Sequence, residues 1–244
     1  MTGPQHFDRH ASLYTRARPP YPAALWGELA ELGLLQPGGR VLDLGAGTGQ
    51  ATGPLLDAGM RVTAVEPGPA LAAELRERYP DAVVLPSTAE SAVLDAASFD
   101  LAVCATAVHW LDLDLVLPRL HDALADGGHL AVWMNEFGDP AVTTPFRERV
   151  GDIVARRGAP PRTERALDPA EWPVALTAGG HFEVVTARRF RWSVRLSSDQ
   201  VRDLFTTFSN WSAAEVDEAA DAARELGGVV TEHYATPLIV LRRR

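Results

Sequence analysis

Three glycines and one acidic residue have the spacing of a cofactor-binding loop. Residues 43–50 read DLGAGTGQ and follow a short apolar stretch that is typical of a buried strand. Side chains at Gly45, Gly47 and Gly49 would block a ligand that approaches the backbone. Glu66 ends the next apolar stretch, about 17–21 residues further on, where a carboxylate can accept hydrogen bonds from both hydroxyls of a ribose. The pattern predicts a site for a ligand that contains a nucleoside.

Two classes of cofactor fit such a loop. Nicotinamide dinucleotides usually require the pattern GxGxxG, in which the start of a helix faces the pyrophosphate. Gln50 occupies the place of the third glycine, which disfavours a dinucleotide. S-adenosylmethionine has no phosphate and is the alternative. A glycine turn without any ligand is a third interpretation, which the placement of Glu66 disfavours.

The composition excludes several kinds of chemistry. All 23 basic residues are arginine, so a Schiff-base lysine, a Walker-type phosphate lysine and a kinase lysine are excluded. The net charge of −9 offers no broad basic surface, and we expect no nucleic-acid partner. Cys104 is the sole cysteine, which excludes an internal disulfide. His6 and His10 have no obvious further ligands nearby, so we expect no metal site.

The order of predicted elements indicates an α/β fold. Strand and helix patterns alternate about five times within residues 1–134, which is typical of a parallel sheet with helices on both faces. Ligands bind such sheets at the carboxyl ends of the strands. No apolar run reaches the roughly 18–20 residues that span a bilayer, and the polar N-terminus has no apolar signal core. We therefore expect a cytoplasmic protein that does not interact with membranes.

The glycine loop also resembles a known family. Residues 41–49, VLDLGAGTG, resemble motif I of the class I S-adenosylmethionine-dependent methyltransferases, and Glu66 matches their ribose-binding acid. Three further segments are similar to the family: 87–90, 98–102 and 124–130. The resemblance implies a doubly wound, seven-stranded, mostly parallel sheet of the Rossmann-like methyltransferase fold with helical cap insertions. It also implies S-adenosylmethionine as methyl donor and S-adenosylhomocysteine as product.

A narrower resemblance covers segments outside motif I. The segments that are similar to the type-11, trans-aconitate-methyltransferase-like group are 7–14, 18–22, 107–110 and 188–192. The expected organisation is one methyltransferase domain over 1–244. Its core is expected at about 25–134, 181–196 and 233–244, and its cap elements at about 1–24, 135–180 and 197–232.

The family resemblance implies a set of cofactor-binding residues. They are Tyr14, Arg18, Tyr21, Gly45, Ala46, Gly47, Thr48, Gly49, Glu66, Pro67, Thr88, Ala89, Glu90, Ala105, His109 and Trp110. In the family the arm before the core is a lid, in which Arg18 could pair with the methionine carboxylate and a tyrosine could face the sulfonium. A solvent-exposed arm is the alternative interpretation.

His109 is the candidate catalytic residue. It follows the fourth predicted strand, at the edge of the sheet where the sulfur of the methyl donor is expected. An imidazole with an ordinary pKa near 6.5 could orient or deprotonate an acceptor. It could equally hold only the cofactor or the backbone by a hydrogen bond. Both roles stay open.

The sequence thus predicts a methyltransferase that acts on a small molecule, with a carboxylate or a hydroxyl as the acceptor group. The alternative is a non-catalytic protein of the same fold that binds the cofactor or serves as a scaffold. We expect a monomer or a homodimer. The sequence does not identify the acceptor.

Overall fold

The computed structural model describes residues 11–157 and 167–244. These residues form two compact units. The sheet unit comprises 21–135, 167–190 and 236–244, and the helical unit comprises 11–20, 136–157 and 191–235. Each unit is therefore assembled from three separate segments of the chain.

The strands of the sheet unit have the predicted topology. We number the strands β1 to β8, with bounds Arg40–Leu44, Arg61–Val65, Val83–Leu85, Phe99–Ala105, Leu124–Trp133, Glu136–Phe137, Phe182–Ser197 and Val229–Arg243. The order in the sheet unit is β3-β2-β1-β4-β5-β8. Strands β1 to β5 pair in parallel, and β8 runs antiparallel to β5. The prediction of an α/β fold with a mostly parallel sheet is confirmed.

Helices alternate with the parallel strands. We number them α1 to α9, with bounds Ala11–Ala17, Ala23–Glu31, Thr52–Asp57, Pro69–Arg78, Leu113–Ala123, Pro145–Ala155, Trp172–Thr177, Ser198–Thr206 and Ala213–Glu225. Short 3-10 helices lie at Val108–Trp110 and Pro169–Glu171. Within the two described ranges, no helix is long and apolar enough to cross a membrane.

The central strands are buried on both faces. In β1, Val41 packs in one hydrophobic cluster, whereas Leu42 and Leu44 pack in another. Successive side chains of a strand point to opposite faces, so continuous apolar character is expected for a strand that helices cover on both sides. Cys104 in β4 is buried in the same way, and burial raises the pKa of its thiol above the ordinary value, so the thiol is neutral.

Several boundaries differ from the expected organisation. Helix α7 was expected in the cap region 135–180, but Trp172 and Leu176 are buried in the core of the sheet unit. Residues 191–196 and 233–235 were expected in the core but belong to the helical unit, and residues 21–24 were expected in the cap but belong to the sheet unit. Strand β8 begins at Val229, within the helical unit. Its early part pairs with the two-residue strand β6, which adds a strand to the seven expected from the resemblance.

The helical unit has its own core. Helices α6, α8 and α9 contribute buried side chains such as Phe146, Phe205 and Ala219, which pack together with residues of β7 and β8. Helix α8 begins at a capping box, in which Ser197 accepts from the amide of Gln200 at 3.2 Å and donates its own amide to the Gln200 side chain at 2.9 Å. Ser197 and Gln200 have the sequence spacing that is typical of a capping box at the start of a helix.

Candidate functional site

The glycine loop lies at the carboxyl edge of the sheet, between β1 and β2. The amides of Gly45 and Ala46 both donate to the carbonyl of Val65, at 2.9 and 3.1 Å, so the loop is fixed to the end of β2. Gly45, Gly47 and Gly49 have φ angles of +65°, +58° and +91°, a region that side chains disfavour. The local conformation therefore requires glycine at these three positions.

The three glycines differ in what a side chain would meet. A Cβ atom at Gly45 would lie 2.6 Å from the Cβ of Ala107, in the loop after β4, and one at Gly49 would overlap the ring of Tyr79. A Cβ at Gly47 would meet no atom within 4 Å. Gly45 and Gly49 thus permit close packing inside the protein. Gly47 instead presents its backbone to open space, as a ligand-binding loop must.

Glu66 connects the glycine loop to the end of β2. Its side chain is buried, and its carboxylate oxygens accept hydrogen bonds from the amide of Gly47 at 2.8 Å and from the amide of Gly68 at 2.7 Å. A carboxylate has several acceptor positions, which suits a group with two hydroxyls such as a ribose. Pro67 follows at the surface. The carboxylate is therefore held in place beside the exposed backbone of Gly47.

Asp43 is a further buried acid at this edge, which the sequence analysis did not name as a site residue. Its side chain is 0% exposed, and the hydroxyl of Thr52 donates to Oδ2 at 2.7 Å. Burial raises the pKa of Asp43 to about 7, although the hydrogen bond from Thr52 opposes the shift and the neighbouring Glu66 adds to it. An aspartate within an apolar strand, as in VLDL, is a signal in the sequence that could have identified it.

Several buried polar atoms near the ends of β1 and β4 have no hydrogen-bond partner in the structure. They are Oδ1 of Asp43, Oγ1 of Thr48 and Nδ1 of His109. A buried polar group without a partner costs about 1–3 kcal/mol. Natural proteins rarely leave several such atoms together unless a ligand, a water molecule or catalysis requires them. The donor and acceptor set fits a polar ligand that reaches the glycine loop.

The loop after β4 carries His109 and Trp110. Thr106 begins this loop with a φ angle of +60°, an unusual conformation for a β-branched residue. The Tyr21 hydroxyl forms a 2.9 Å hydrogen bond with Oγ1 of Thr106, and the amide of Thr106 donates to the carbonyl of Trp133 at 2.7 Å. Strain of this kind is often found at functional sites. Tyr21, for which the resemblance implies a contact with the cofactor, is buried and contacts this loop through its hydroxyl.

His109 is a half-buried residue of this loop. Burial lowers the pKa of His109 below its ordinary value of 6.5, so the ring is uncharged near neutral pH. The ring of Trp110 lies 4.9 Å from that of His109, and 44% of the Trp110 residue surface is exposed. Ala105, at the end of β4, is half-buried beside this loop.

The segment after β3 is fixed by short-range contacts. Oγ1 of Thr88 forms a 2.8 Å hydrogen bond with Oγ of Ser91, and Ala89 is buried in the core. The carboxylate of Glu90 accepts from the amide of Asp112 at 3.1 Å, directly before α5. This contact holds the segment beside the residues that follow the His109 loop. The structure therefore brings the segment proposed for adenine binding to the same edge of the sheet unit.

Two other predicted cofactor contacts belong to the helical unit. Arg18 donates to Oγ1 of Thr207 at 2.8 Å and to its carbonyl at 3.1 Å. Its guanidinium also lies 4.5 Å from the ring centre of Phe208 and 5.0 Å from that of Tyr14. These contacts give Arg18 and Tyr14 a packing role within the helical unit.

No metal site was expected from the sequence, and some of the N-terminal residues named there lie outside the described part of the chain. Among residues 11–157 and 167–244, no group of three or more His, Cys, Asp or Glu side chains is arranged to hold a metal ion. His6, His10 and the beginning of the segment 7–14 lie outside the described residues.

The sequence and the structure both match known methyltransferases. A family model described as a methyltransferase domain matches residues 42–132. A methyltransferase of Mycobacterium tuberculosis, itself uncharacterized, is 33% identical over an alignment of 215 residues that covers 82% of this chain and 86% of the relative. A solved structure from Anaeromyxobacter dehalogenans, assigned as a type II methyltransferase, is 26% identical with a TM-score of 0.66, over 93% of this chain and 97% of that one.

A more distant structure shares the fold. Geranyl diphosphate methyltransferase, solved in complex with S-adenosylmethionine, is 16% identical with a TM-score of 0.56 and covers 91% of this chain and 85% of its own. The family match includes the glycine loop, Glu66 and the His109 loop. The chain is therefore an enzyme of the class I S-adenosylmethionine-dependent methyltransferases.

Proposed function

We propose that the sheet unit binds S-adenosylmethionine at the ends of β1, β2 and β4, and that the enzyme methylates a hydroxyl or carboxylate oxygen of a small molecule. The observation that carries the cofactor proposal is the pairing of Glu66 with the amide of Gly47, whose other side faces open space. A nucleoside at Gly47 would place its ribose next to an acceptor carboxylate that is already oriented.

In this proposal each group of residues at the carboxyl edge of the sheet binds a different part of the cofactor. Glu66 binds the ribose hydroxyls, and the segment with Ala89 and Glu90 lies beside the adenine. The buried atoms of Asp43 and Thr48 that have no partner would bind polar groups of the methionine part. Because these side chains are rigidly held, the chain mainly contributes alignment and exclusion of water.

The reaction requires little acid–base chemistry from the protein. When bound, S-adenosylmethionine supplies a methyl group on a positively charged sulfur, which departs as a neutral thioether. A carboxylate acceptor has no proton to lose. A hydroxyl acceptor gives up a proton, and His109 is neutral near pH 7 because burial lowers its pKa. We therefore assign His109 as the base for a hydroxyl acceptor.

A small acceptor agrees with the charge of the chain. The net charge is −9 and lysine is absent, so the protein has little means to neutralise the phosphates of a nucleic acid.

Glu66→Ala tests the assignment of the cofactor site. Loss of two charge-assisted hydrogen bonds, each worth about 1.5–3 kcal/mol, should weaken S-adenosylmethionine binding by at least a hundredfold. Glu77→Ala, at an exposed glutamate of α4, is the matched control. Calorimetry with both variants measures the effect. Unchanged affinity in Glu66→Ala would remove Glu66 from the site.

A further inference from the structure

The helical unit contains a buried acid whose oxygens accept no well-oriented hydrogen bond. Glu232 lies in β8 with its side chain 0% exposed, and neither Oε1 nor Oε2 has a partner in hydrogen-bond geometry, although the backbone amide of His233 lies close enough to lower the pKa of Glu232. Nε of Arg147 lies 3.0 Å from Oε1, but its N–H is not directed at the oxygen, so the contact is an ion pair only. The charge of Arg147 thus partly neutralises the carboxylate of Glu232, whose oxygens can still accept hydrogen bonds.

A tyrosine hydroxyl of the same strand is also without a partner. Tyr234 is two residues beyond Glu232, so both side chains point to the same face of β8. Only 2% of Tyr234 is exposed, and its hydroxyl makes no hydrogen bond. Three buried polar atoms of one strand face therefore have unused hydrogen-bonding capacity.

Aromatic rings hold the tyrosine in place. The ring of Trp192 stacks on Tyr234, with ring centres 4.7 Å apart and planes 18° apart. Phe137 meets Tyr234 edge-on at 5.5 Å and also lies 4.2 Å from the guanidinium of Arg147. The phenol ring is thus fixed by packing, and only its hydroxyl is left without a contact that its chemistry requires.

Several other buried polar groups of this unit are satisfied, although Nη2 of Arg157 is a further buried atom without a partner. The carboxylate of Asp139 is 3% exposed, and its two oxygens accept from the amide of Ala141 at 3.0 Å and from Nε of Arg191 at 2.8 Å. The hydroxyl of Thr207 donates to the carbonyl of Leu204 at 2.6 Å. The same pairing would be expected of Glu232 and Tyr234 if they were only structural, because an unpaired buried polar group is costly.

We propose that Glu232 and Tyr234 bind a hydroxyl group of a small-molecule ligand, which donates to the carboxylate of Glu232 and accepts from the hydroxyl of Tyr234. The inference goes beyond the proposed function. It concerns a binding site within the helical unit and not the site of methyl transfer.

Charge complementarity selects a hydroxyl over the other common groups. A ligand carboxylate has no proton to donate to Glu232, and it would meet a carboxyl group that is partly ionised near pH 7, because burial raises the pKa of Glu232 to about 7. An ammonium group could donate, but Arg147 already supplies the positive charge next to Glu232. A hydroxyl both donates and accepts without adding charge. The rings of Phe137 and Trp192 favour an aromatic body for this hydroxyl.

Ligand-observed saturation-transfer NMR on the full chain tests the proposal with four probes that share a benzene ring. The probes are phenol, anisole, benzoate and benzylammonium. Phenol should bind at least tenfold more tightly than anisole, which lacks the donor, and more tightly than the two charged probes. Phenol binding no tighter than that of anisole would overturn the proposal, and preferred binding of benzoate or benzylammonium would overturn the assigned class.

Tyr234→Phe separates a ligand site from a structural cluster. The variant removes only an unpaired hydroxyl, so the melting temperature should be unchanged or higher while the dissociation constant of phenol rises at least tenfold. Glu232→Gln should also weaken phenol binding, whereas Glu148→Gln, at an exposed position of α6, should not. Unchanged phenol binding in Tyr234→Phe would overturn the proposal.

Calorimetry with S-adenosylhomocysteine on the same preparations distinguishes this inference from the proposed function. The cofactor proposal depends on residues of the sheet unit, so Tyr234→Phe should bind S-adenosylhomocysteine as the wild type does. Failure of the wild type to bind it would contradict the proposed function, while the phenol measurements would still decide whether the cluster is a hydroxyl site.

Discussion

Asp43 lies within β1 with its side chain fully buried, and the hydroxyl of Thr52 donates to one of its oxygens. Burial raises its pKa from 3.8 to about 7. Between these two pH values the folded protein retains a proton that the unfolded chain releases. The contribution of this group to stability is therefore largest at low pH and falls as the pH rises through that window.

Asp43→Asn should remove this pH dependence, because an amide does not titrate. Between pH 5 and 7 the free energy of unfolding of the wild type should decline relative to that of the variant, by up to about 1.4 kcal/mol per pH unit. Guanidinium chloride unfolding at three pH values measures the difference. Asp57→Asn, at an exposed position, is the control. Parallel curves for the wild type and Asp43→Asn would contradict the assigned shift.

His109→Gln tests whether the histidine is a general base. For a hydroxyl acceptor we expect kcat to fall by about 10²–10⁴, while the affinity for S-adenosylmethionine changes little. In the wild type the rate should fall on the acid side, at a pH below the ordinary histidine value of 6.5, because burial lowers the pKa of His109. A modest loss of kcat together with a loss of affinity would instead assign His109 to cofactor positioning.

Among individual residues, the sequence identifies those that belong to a short motif. Gly45, Gly47 and Glu66 could be identified because the loop and the acid follow successive strands. The support of Thr106 by Tyr21 could not, since these residues are 85 positions apart and meet only in the folded chain. Tyr234 and Glu232 belong to no sequence motif. They stand out only in the structure, where their side-chain oxygens are buried without a hydrogen-bond partner.

Among the elements, the turn between β6 and α6 shows how one glycine protects a buried ion pair. Gly138 has a φ angle of +82°, and its amide donates to the carbonyl of His233 at 3.0 Å. A Cβ atom at this position would overlap the guanidinium of Arg147, the partner of Glu232. The turn therefore leaves room for the arginine as well as adopting a conformation that suits glycine.

Gly138→Ala should destabilise the protein far more than Gly127→Ala does. Gly127 has a similar φ angle of +75°, but a Cβ there would meet nothing within 4 Å. Both variants strain the backbone by about 1–2 kcal/mol, and Gly138→Ala also displaces Arg147 from a buried carboxylate, which costs about 3–5 kcal/mol more. Chemical unfolding compares the two. Equal losses would show that Arg147 adjusts without cost.

Sequence patterns predict the bounds of some strands better than those of others. Strands β1 and β2 coincide with the short apolar stretches that precede the glycine loop and Glu66. Strand β8 begins at Val229, well before Pro237, a residue that lacks an amide donor. In the structure, β8 pairs with β6 up to Ala235 and with β5 from Leu238, so Pro237 lies between its two partners.

On the scale of the whole molecule, the assignment of segments to units depends on long-range packing. Helix α7 follows a segment that was expected in the cap, yet its Trp172 is buried in the core of the sheet unit. Composition and periodicity identify α7 as a helix with an apolar face but do not say which core that face joins. The family and the mostly parallel sheet could be predicted, whereas the interleaving of the two units could not.

The central claim is that this methyltransferase binds S-adenosylmethionine over the backbone of Gly47. Gly47→Ala tests it directly, because the added methyl group would meet no protein atom within 4 Å and would project into the space assigned to the ligand. Gly180→Ala is the matched control, with a φ angle of +73° and equally open surroundings away from the loop.

Calorimetric titration of S-adenosylmethionine into the wild type and both variants is the measurement. We predict binding of one molecule per chain in the wild type and in Gly180→Ala, and loss of binding by at least a hundredfold in Gly47→Ala, with similar melting temperatures for the two variants. Absence of binding to the wild type, or unchanged affinity in Gly47→Ala, would contradict the account.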